Sequence, residues 1–379
     1  MTPAPLTAST RPPVRLAIVM GTRPEAVKLS PVALAAQARP EQFNVQIIST
    51  GQHREMLASM LQWFGIVPDT SLDIMKVNQD LAHITMACLG GLSQWLAEHR
   101  PDWVVVQGDT TTTFAGALAA FYQRIPVAHV EAGLRTHDKY SPYPEEMNRV
   151  LTGHLAALHF SPTEGARHNL LREGVRDQDI RVTGNTGIDA LLWTRDKLAR
   201  MQATPEAHRR ELLVTAHRRE NHGAPMVAIC AAVLDLLDRY PDLWVQFPVH
   251  LSPKVREVVM PALGQHPRVN LCEPLDYPEF VQAMARSTVI LTDSGGVQEE
   301  APSLGKPVLV LRESTERPEA AQAGTALIVG ADRERIVLHC ARLLDDAAEY
   351  QSMARTLNPY GDGQAAHRIL DDILRRHRP

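Results

Sequence analysis

Short runs of aliphatic and β-branched residues alternate with longer amphipathic stretches along almost the whole chain, and this alternation constrains the fold more than any other feature. Residues 16–20, 45–49 and 103–106 are such runs in a first series, and residues 212–215 begin a second. Strands that are apolar on both faces and separated by helices are typical of parallel sheets covered on both sides. The sequence therefore predicts an α/β protein with two Rossmann-like domains in tandem.

The chain has 379 residues, which suits two domains of ordinary size. We predict an N-terminal domain over residues 14–185 and a C-terminal domain over residues 186–363, with a hinge in the segment GNTGI at residues 184–188. The stretch 364–379 begins with an amphipathic pattern that predicts a last helix. Residues 1–13 are rich in Pro, Thr and Ala and predict a flexible tail without the apolar core of an export signal.

Charge and cysteine content exclude several classes of function. The chain has 39 Lys and Arg against 43 Asp and Glu, a formal charge of −4, whereas nucleic-acid backbones attract a strongly basic face. The scattered cysteines, without a CxxC pair, indicate free thiols in a reducing compartment; they are Cys88, Cys230, Cys272 and Cys340. No apolar run approaches the roughly 20 residues that cross a bilayer. We therefore predict a cytoplasmic protein with no membrane insertion and no nucleic-acid partner.

Ligands of open parallel sheets bind beyond the carboxyl ends of the strands, so we expect a site in a cleft between the two facing domains. The segment GTRPEAVK follows the first strand and places Arg23 and Lys28 near a helix start, where the helix dipole favours an anion. The alternative is a solvated basic helix start. The GxGxxG fingerprint of dinucleotide binding is absent here.

Carboxylates follow the next strands of the first series. In QGDTTTT a threonine is expected to cap the next helix, and Asp109 either caps it too or faces the site. Glu131 ends an apolar strand, where a carboxylate is costly unless it is used in chemistry or paired, for example with Arg135. Glu145 and Glu146 begin a further helix, where acids are ordinary complements to the dipole.

The second series carries two further signals. In TAHRREN, His217 is followed by two arginines at a strand end, which favours a site over core packing. In TDSGGVQEEA, residues 294–296 predict a turn whose backbone N–H groups could cradle a diphosphate, with Glu300 placed for ribose hydroxyls. The alternative is a tight glycine turn with solvated acids. Since no Walker A, HExxH, GxSxG or metal-ligand pattern occurs, the pattern favours a nucleotide-linked substrate without a redox cofactor or a protein-held metal.

Seven motifs occur in order: GTRPEAVKLSP, TGQH, QGDTTTT, HVEAGLRT, SPYPEEMNR, TAHRREN and LTDSGGVQEEAPSLGKPVLVLRESTERPEA. From about residue 14 to the C-terminal helix, the sequence closely resembles the bacterial non-hydrolysing UDP-N-acetylglucosamine 2-epimerases. The resemblance implies a GT-B fold whose last helix crosses back to the first domain. It also implies a homodimer without cofactor that interconverts UDP-GlcNAc and UDP-ManNAc for cell-envelope glycans.

The resemblance also implies roles for individual residues. The catalytic positions match Asp109, Glu131 and His217, with Glu145 close by. The positions that bind UDP or substrate match Arg23, Lys28, Phe280, Ser294, Gly295, Gly296, Glu300 and Arg317. A second UDP-GlcNAc site, which activates some members, would correspond to Gln52, Arg218 and His250. The chain departs from the family at Leu275, where a polar side chain is common, so the backbone would have to contact the uracil.

The chemistry implied by the resemblance is elimination followed by re-addition. Because C2–H is not next to a carbonyl, breaking the C1–O bond to UDP must assist removal of the proton. Anti elimination would give 2-acetamidoglucal and UDP, and syn re-addition would give the epimer, with Asp109 and Glu131 as candidates for the two faces in either order. His217 would assist the leaving phosphate. Two alternatives stay open: a GT-B glycosyltransferase that uses a UDP-sugar donor, and a non-catalytic nucleotide-sugar sensor.

Overall fold

The computed structural model of the protein describes residues 12–52, 54–76, 79–201, 209–315 and 317–377. Apart from Pro12 and Pro13, the tail expected over residues 1–13 lies outside these ranges. So do His53 of the TGQH motif and Glu316 of the last motif.

The chain divides into two compact units. The first unit consists of two segments, the chain up to Ala190 and the chain from Gly363 onward. The second unit is the segment between them, Leu191–Asp362. Each unit is built on one sheet in which every pair of neighbouring strands runs parallel.

The first unit contains a seven-stranded sheet. Its strands are β1 (Val14–Met20), β2 (Phe43–Ser49), β3 (Thr70–Ser71), β4 (Trp103–Gln107), β5 (Val127–Val130), β6 (Leu158–Ser161) and β7 (Ile180–Val182). The order across the sheet is β3-β2-β1-β4-β5-β6-β7, so the direction of winding reverses between β1 and β4. Such a reversal leaves a crevice at the carboxyl ends of the two strands, where ligands of this fold bind.

Helices cover the sheet of the first unit. They are α1 (Arg23–Gln37), α2 (Arg54–Phe64), α3 (Leu81–His99), α4 (Thr111–Tyr122), α5 (Glu145–Leu155) and α6 (Glu164–Arg172). A further helix, α7 (Thr186–Met201), begins in the first unit and continues into the second after Ala190. The central strands are apolar on both faces, and Ile18 and Val105 are fully buried. Val19 and Val106 pack with Leu92 of α3 in one continuous core. Burial on both faces explains why these strands lack the polar alternation of a half-exposed sheet.

The second unit repeats this plan with six strands. They are β8 (Arg210–Thr215), β9 (Leu243–Pro248), β10 (Val269–Cys272), β11 (Val289–Thr292), β12 (Val308–Val310) and β13 (Ala326–Ile328). The order is β10-β9-β8-β11-β12-β13, so the winding reverses between β8 and β11. The helices are α8 (Ala224–Arg239), α9 (Pro253–Leu263), α10 (Tyr277–Arg286), α11 (Gly295–Glu300), α12 (Pro318–Ala323), α13 (Arg333–Asp345) and α14 (Ala347–Ala354).

The last helix, α15 (Ala365–His377), belongs to the first unit and packs against α1. The Asp189 carboxylate accepts hydrogen bonds from the N–H groups of Ala365 (3.3 Å) and Ala366 (2.9 Å), which satisfies two of the free donors at the helix start. Arg39 pairs with Asp371 at 2.8 Å on the exposed side. The predicted fold class is therefore confirmed, including the return of the C-terminal helix to the first unit.

All four cysteines lie among the described residues and are free, as the sequence predicted. Burial raises the pKa of the Cys230 thiol to about 11 and that of Cys340 to about 12, so both are unreactive at neutral pH. Within the described ranges, no helix combines the length and the apolar character needed to cross a membrane.

Candidate active site

The loop between β1 and α1 is organised by Glu25, a fully buried carboxylate in the first turn of the helix. Its Oε2 accepts hydrogen bonds from Gly21 N (2.9 Å), Thr22 N (2.7 Å) and Thr22 Oγ1 (2.8 Å). The helix begins at Arg23, with Pro24 in its second position. Glu25 thus accepts hydrogen bonds from backbone N–H groups at the helix start, which have no carbonyl acceptor within the helix.

The same carboxylate also holds the loop after β4. Glu25 Oε1 accepts hydrogen bonds from Thr110 Oγ1 (2.7 Å) and Thr113 Oγ1 (3.0 Å). Burial raises the pKa of Glu25, and the hydroxyl donors Thr110 and Thr22 oppose that effect. Thr110 caps α4 by accepting from Thr113 N at 3.0 Å, which confirms the predicted threonine cap and shows that Asp109 is not the cap. Glu25 therefore joins the two loops that flank the reversal of the first sheet.

The turn that presents Asp109 requires glycine at position 108. Gly108 has φ +74°, and a Cβ there would lie 3.4 Å from Glu131 Oε2. His129, fully buried in β5, lies with Nε2 2.7 Å from the Gly108 carbonyl oxygen. Burial lowers the pKa of His129 to about 3, so the ring is neutral and Nε2 donates to that oxygen. The backbone before Asp109 is thereby fixed from inside the sheet.

Asp109 lies within electrostatic reach of four other charged side chains, which are Arg149, Glu131, Lys28 and Glu145. Its Oδ2 is 2.7 Å from Nη2 of Arg149 on α5, and its own carbonyl accepts from Asn148 Nδ2 at 2.9 Å. Burial raises the pKa of Asp109; Arg149 opposes this effect, whereas Glu131 and Glu145 add to it. The predicted carboxylates Asp109, Glu131 and Glu145 are thus within electrostatic reach of one another. A carboxyl group with a raised pKa in such a cluster is a candidate for proton transfer.

Glu131 directly follows β5 and has φ +62°, a left-handed conformation that is uncommon outside glycine. Its side chain is only 8% exposed. The carboxylate forms an ion pair with Lys28 of α1, accepts from Gln107 Nε2, and lies 3.4 Å from Asn185 Nδ2. Lys28, predicted as a substrate-site cation, is therefore committed to Glu131. A residue strained in this way and held from three sides is typical of a functional site.

The alternative in which Arg135 pairs with Glu131 is wrong. Arg135 instead makes two parallel hydrogen bonds of 2.7 Å to the carboxylate of Glu173, the residue after α6. The physical reason is the position of Glu131, whose side chain lies against α1 at the end of β5, where Lys28 forms the ion pair with it. Burial would raise the pKa of Glu173, but Arg135 more than offsets this effect and lowers it.

Glu145 and Glu146 start α5 with different surroundings. Glu146 is buried and accepts from Thr136 N (3.1 Å to each oxygen) and His137 N (2.9 Å), so it orders the preceding loop. Glu145 Oε2 is buried and has no hydrogen-bond partner among the described residues. The expectation that both acids simply complement the helix dipole is incomplete, since Glu146 is structural and Glu145 keeps one acceptor atom unused.

In the second unit, Asp293 organises the residues around His217. Asp293 directly follows β11 and is fully buried. Its Oδ2 accepts from His217 N (2.8 Å), Arg218 N (2.8 Å) and Asn221 Nδ2 (2.9 Å). Its Oδ1 lies 3.1 Å from His217 Nδ1. His217 is itself 40% exposed, as expected for a site residue rather than a core residue.

The glycine turn after β11 begins the short helix α11. Ser294 is its N-cap residue, and its N–H donates to Thr292 Oγ1 at 3.0 Å. Of the predicted cradle at residues 294–296, the N–H groups left at the helix start are thus those of Gly295 and Gly296. Arg317 is brought beside this turn, with Nε 3.9 Å from where a Cβ on Gly295 would lie, and it forms an ion pair with Glu299.

The other predicted binding residues are placed as follows. Arg23 is half-buried and has no hydrogen bond or ion pair among the described residues. Phe280 on α10 and Glu300 at the end of α11 are both half-buried.

The residues matched to an effector site have distinct surroundings. Gln52, in the first unit, is buried, and its Oε1 accepts from Thr112 Oγ1 at 2.8 Å. In the second unit the ring of His250 stacks on that of His217, with centroids 5.6 Å apart. The backbone N–H of Arg218 is bound by Asp293. His250 therefore lies directly beside a predicted catalytic residue.

Sequence reasoning missed Glu25, Arg149 and Asp293 as parts of the site. Asp293 could have been found, because it is a carboxylate at the end of an apolar strand, the same criterion that singled out Glu131. Glu25 and Arg149 carried no comparable signal, since an acid or a base in a helix turn is ordinary. Among the described residues, no group of three His, Cys, Asp or Glu side chains is placed to hold a metal ion.

Comparison with known proteins identifies the family. The family model for UDP-N-acetylglucosamine 2-epimerase matches residues 35–374. The UDP-N-acetylglucosamine 2-epimerase of Escherichia coli K12 is 54% identical over 370 residues, which cover 95% of this chain and 98% of the relative. The crystal structure of the Neisseria meningitidis UDP-GlcNAc 2-epimerase bound to UDP-GlcNAc is 47% identical, with TM-score 0.82, and the match covers 96% of this chain and 100% of that chain. The Methanocaldococcus jannaschii UDP-GlcNAc 2-epimerase, in complex with UDP-GlcNAc and UDP, is 34% identical with TM-score 0.73, covering 95% and 99%. The chain belongs to the UDP-N-acetylglucosamine 2-epimerase family of enzymes.

Proposed function

We propose that the protein interconverts UDP-GlcNAc and UDP-ManNAc by inverting C2 of the sugar while the uridine diphosphate leaves and returns. The observation that carries the proposal is the carboxyl cluster of Asp109, Glu131 and Glu145, whose pairing with Lys28 and Arg149 is described above. Family membership and the UDP-GlcNAc seen in the Neisseria meningitidis structure support the choice of substrate.

The proposed reaction proceeds by elimination and re-addition. A carboxylate takes the proton from C2, the C1–O bond electrons pass to the β-phosphate oxygen of UDP, and a C1=C2 double bond forms. The elimination is anti from UDP-GlcNAc and yields 2-acetamidoglucal and UDP. Return of a proton to the opposite face of C2, with syn re-addition of UDP at C1, gives UDP-ManNAc. Protons and electrons balance without an oxidant, so the reaction requires no redox cofactor.

The two carboxylates differ in what surrounds them, and this difference supports separate roles. Glu131 is held in place by its contacts with Lys28, Gln107 and Asn185. Asp109 has the raised pKa that suits a group gaining and losing a proton during turnover. We therefore assign proton removal from UDP-GlcNAc at C2 to Asp109. Glu131 is assigned to the opposite face together with Glu145, whose unused acceptor Oε2 remains available.

The leaving diphosphate requires positive charge and N–H donors. Arg23 is placed to supply charge in the first unit, since it has no competing ion pair among the described residues. In the second unit we assign the diphosphate to the Gly295 and Gly296 N–H groups and to Arg317. The Ser294 hydroxyl, Glu300 and Phe280 are assigned to the remaining UDP contacts, with Phe280 near the uracil. In this proposal the domain over residues 14–185 carries proton transfer at C2 and supplies Arg23 to the diphosphate, and the domain over 186–363 carries the other UDP contacts.

Three further features of the proposal rest on family membership. The product would supply ManNAc units for cell-envelope polysaccharide in the cytoplasm. A second UDP-GlcNAc would bind at Gln52, Arg218 and His250, and the stacking of His250 on His217 gives such a ligand a route to the catalytic residues. A homodimer is supported by the groove beside the exposed Phe121 and Tyr122, and light scattering would report its mass.

The deciding experiment is turnover of UDP-GlcNAc in D₂O followed by NMR. We expect deuterium at C2 of both UDP-GlcNAc and UDP-ManNAc, because the proton removed exchanges with solvent before re-addition. Accumulation of UDP and free ManNAc instead would indicate a hydrolysing enzyme. Retention of protium at C2 with transfer to an added acceptor would indicate a glycosyltransferase, and binding without any turnover would indicate a sensor.

A further inference from the structure

Two side chains meet at the reversal of the second sheet because their strands are neighbours. β8 and β11 pair in register with Thr215 opposite Thr292, and the two hydroxyl oxygens are 2.7 Å apart. His217 and Asp293 follow these strands by two residues and one residue. The carboxyl ends of parallel neighbours lie at the same edge, so the fold itself delivers the Asp293 carboxylate to the imidazole of His217.

The two oxygens of Asp293 are not equivalent. Oδ2 receives three N–H donors, two from the backbone and one from Asn221. Oδ1 accepts no well-aligned hydrogen bond from the described residues, and it lies 3.1 Å from His217 Nδ1. Burial would raise the pKa of Asp293, but the donors from His217, Arg218 and Asn221 outweigh it and lower that pKa. The group is therefore an ionised, acceptor-only carboxylate at neutral pH.

A carboxylate oxygen 3.1 Å from a ring nitrogen favours a proton on that nitrogen, because two lone pairs would otherwise face each other. Nδ1 of His217 then carries the hydrogen, and Nε2 is left on the exposed side of the ring without a partner among the described residues. The second contact of the ring, stacking on His250 at 5.6 Å, restricts its rotation. Ring orientation and tautomer are thus both determined by neighbours outside the reacting atoms.

We propose that Asp293 is the positioning residue for His217: it keeps a proton on Nδ1 and so presents Nε2 to the departing diphosphate. The identity of the group that Nε2 meets rests on the proposed function. As C1–O breaks, the Nε2–H bond of the imidazolium breaks, and its proton joins the UDP oxygen that receives the C1–O electron pair. Re-addition returns this proton to Nε2. Asp293 stabilises the imidazolium and never itself leaves its ionised state.

The asymmetry of Asp293 makes Asp293→Asn a sharp test. The three fixed donors require an oxygen at the Oδ2 position, so the amide of the variant must turn its NH₂ group toward His217. Nδ1 then has to accept, and the proton is forced onto Nε2. Without the Asp293 carboxylate, the His217 imidazolium loses the group that stabilises it. We expect kcat to fall by about 10²- to 10⁴-fold, which is the usual contribution of general acid–base catalysis. The loss should not exceed that caused by His217→Gln.

The first measurement is a long-range ¹H–¹⁵N spectrum of the full-length protein labelled with ¹⁵N-histidine, recorded near pH 8.5, where an ordinary imidazole is neutral. The chain has 16 histidines, and the His217→Gln variant identifies the signals of His217 by their disappearance. We expect the Nδ1–H tautomer in the native protein and the Nε2–H tautomer in Asp293→Asn. An Nε2–H tautomer in the native protein overturns the proposal, whether or not the variant folds.

The second measurement is a double-mutant cycle on kcat. If Asp293 acts through His217, the Asp293→Asn change should cost less than about threefold in a His217→Gln background, because the interacting partner is already gone. An equal loss in both backgrounds would show that Asp293 only supports the loop. Asp235→Asn is the matched control, since Asp235 on α8 is also an ion-paired aspartate, with Arg333 at 2.6 Å. If the native protein fails to turn over UDP-GlcNAc, the proposed function fails, whereas the tautomer spectrum still decides the role of Asp293.

Discussion

Replacing Arg149 with Met tests whether the charge of Asp109 controls the reaction. Arg149 Nη2 lies 2.7 Å from Asp109 Oδ2, and the Asp109 side chain is 32% exposed. At an effective dielectric constant of about 20, the bare attraction at this distance is about 6 kcal/mol. Because part of the carboxylate is solvated, water offsets much of this attraction. An opposite charge in contact typically changes the ionised fraction of a carboxyl group by about 10- to 10³-fold, and we adopt that range.

The direction of the effect follows from the surroundings of Asp109. Burial raises its pKa, and Arg149 is the largest opposing influence, so the variant has a still higher pKa at Asp109. The base must be ionised to take the C2 proton. The acid limb of kcat/KM should therefore move to higher pH, with a loss of about 10- to 10³-fold on that limb. At alkaline pH the variant should approach the native rate, because Asp109 is then ionised in both proteins.

The assay is the initial rate of UDP-ManNAc formation, followed by NMR over a range of about pH 5.5 to 9.5. Arg149→Lys keeps the charge and should leave the limb close to its native position. Arg167→Met is the matched control, because Arg167 is an arginine of the same unit paired with Asp177 at 2.6 Å, outside the site. The reasoning is refuted if Arg149→Met loses the same factor at every pH, since Arg149 would then act by placing side chains rather than by its charge.

Three further predictions address other residues of the site. Asp109→Asn should lower kcat by about 10²- to 10⁴-fold and slow deuterium uptake at C2 of UDP-GlcNAc in D₂O by a similar factor; uptake at the native rate would remove Asp109 from proton transfer. Lys28→Met should lower kcat more than it raises KM for UDP-GlcNAc, because Lys28 holds Glu131; a raised KM with unchanged kcat in steady-state assays would make it a binding residue instead. Glu25→Ala should reduce the free energy of unfolding in urea by about 2 to 6 kcal/mol, since two buried backbone N–H groups lose their acceptor. Glu25→Gln should lose less, because an amide oxygen can still accept from both, and equal losses would contradict this account.

The strands that the sequence predicted are those that contain a distinct run of aliphatic or β-branched residues. Residues 103–106 were expected and Trp103–Gln107 is observed, and residues 212–215 lie within Arg210–Thr215. Two short strands, β3 (Thr70–Ser71) and β13 (Ala326–Ile328), were not predicted. Thr70 and Ser71 form no apolar run, and Ala326–Ile328 is a run of only three residues, so pairing with a neighbouring strand is what makes them part of a sheet.

The sequence predicted candidate site residues, but it did not predict the ion pairs that they form. Asp109, Glu131 and His217 each stand just after a strand, and parallel topology brings such positions to one edge of their sheet. Their partners come from segments far along the chain: Lys28 for Glu131, and Asp293 for His217. The plausible local partner, Arg135, was the wrong one. Separation in sequence carries no information about which buried charge faces which.

The amino-acid sequence was sufficient to predict the architecture, because hydrophobic patterning and chain order decide which segments become buried strands and where they end. Only the folded structure reveals the direction in which the pKa values of Asp109 and Asp293 shift, because each shift depends on burial and on the distances to other charges and donors. Thus Asp109 and Asp293, both placed after buried strands, have opposite pKa shifts: Arg149 does not outweigh the effect of burial on Asp109, whereas the donors around Asp293 do. This difference in pKa arises only in the folded protein, where segments distant in sequence are brought into contact.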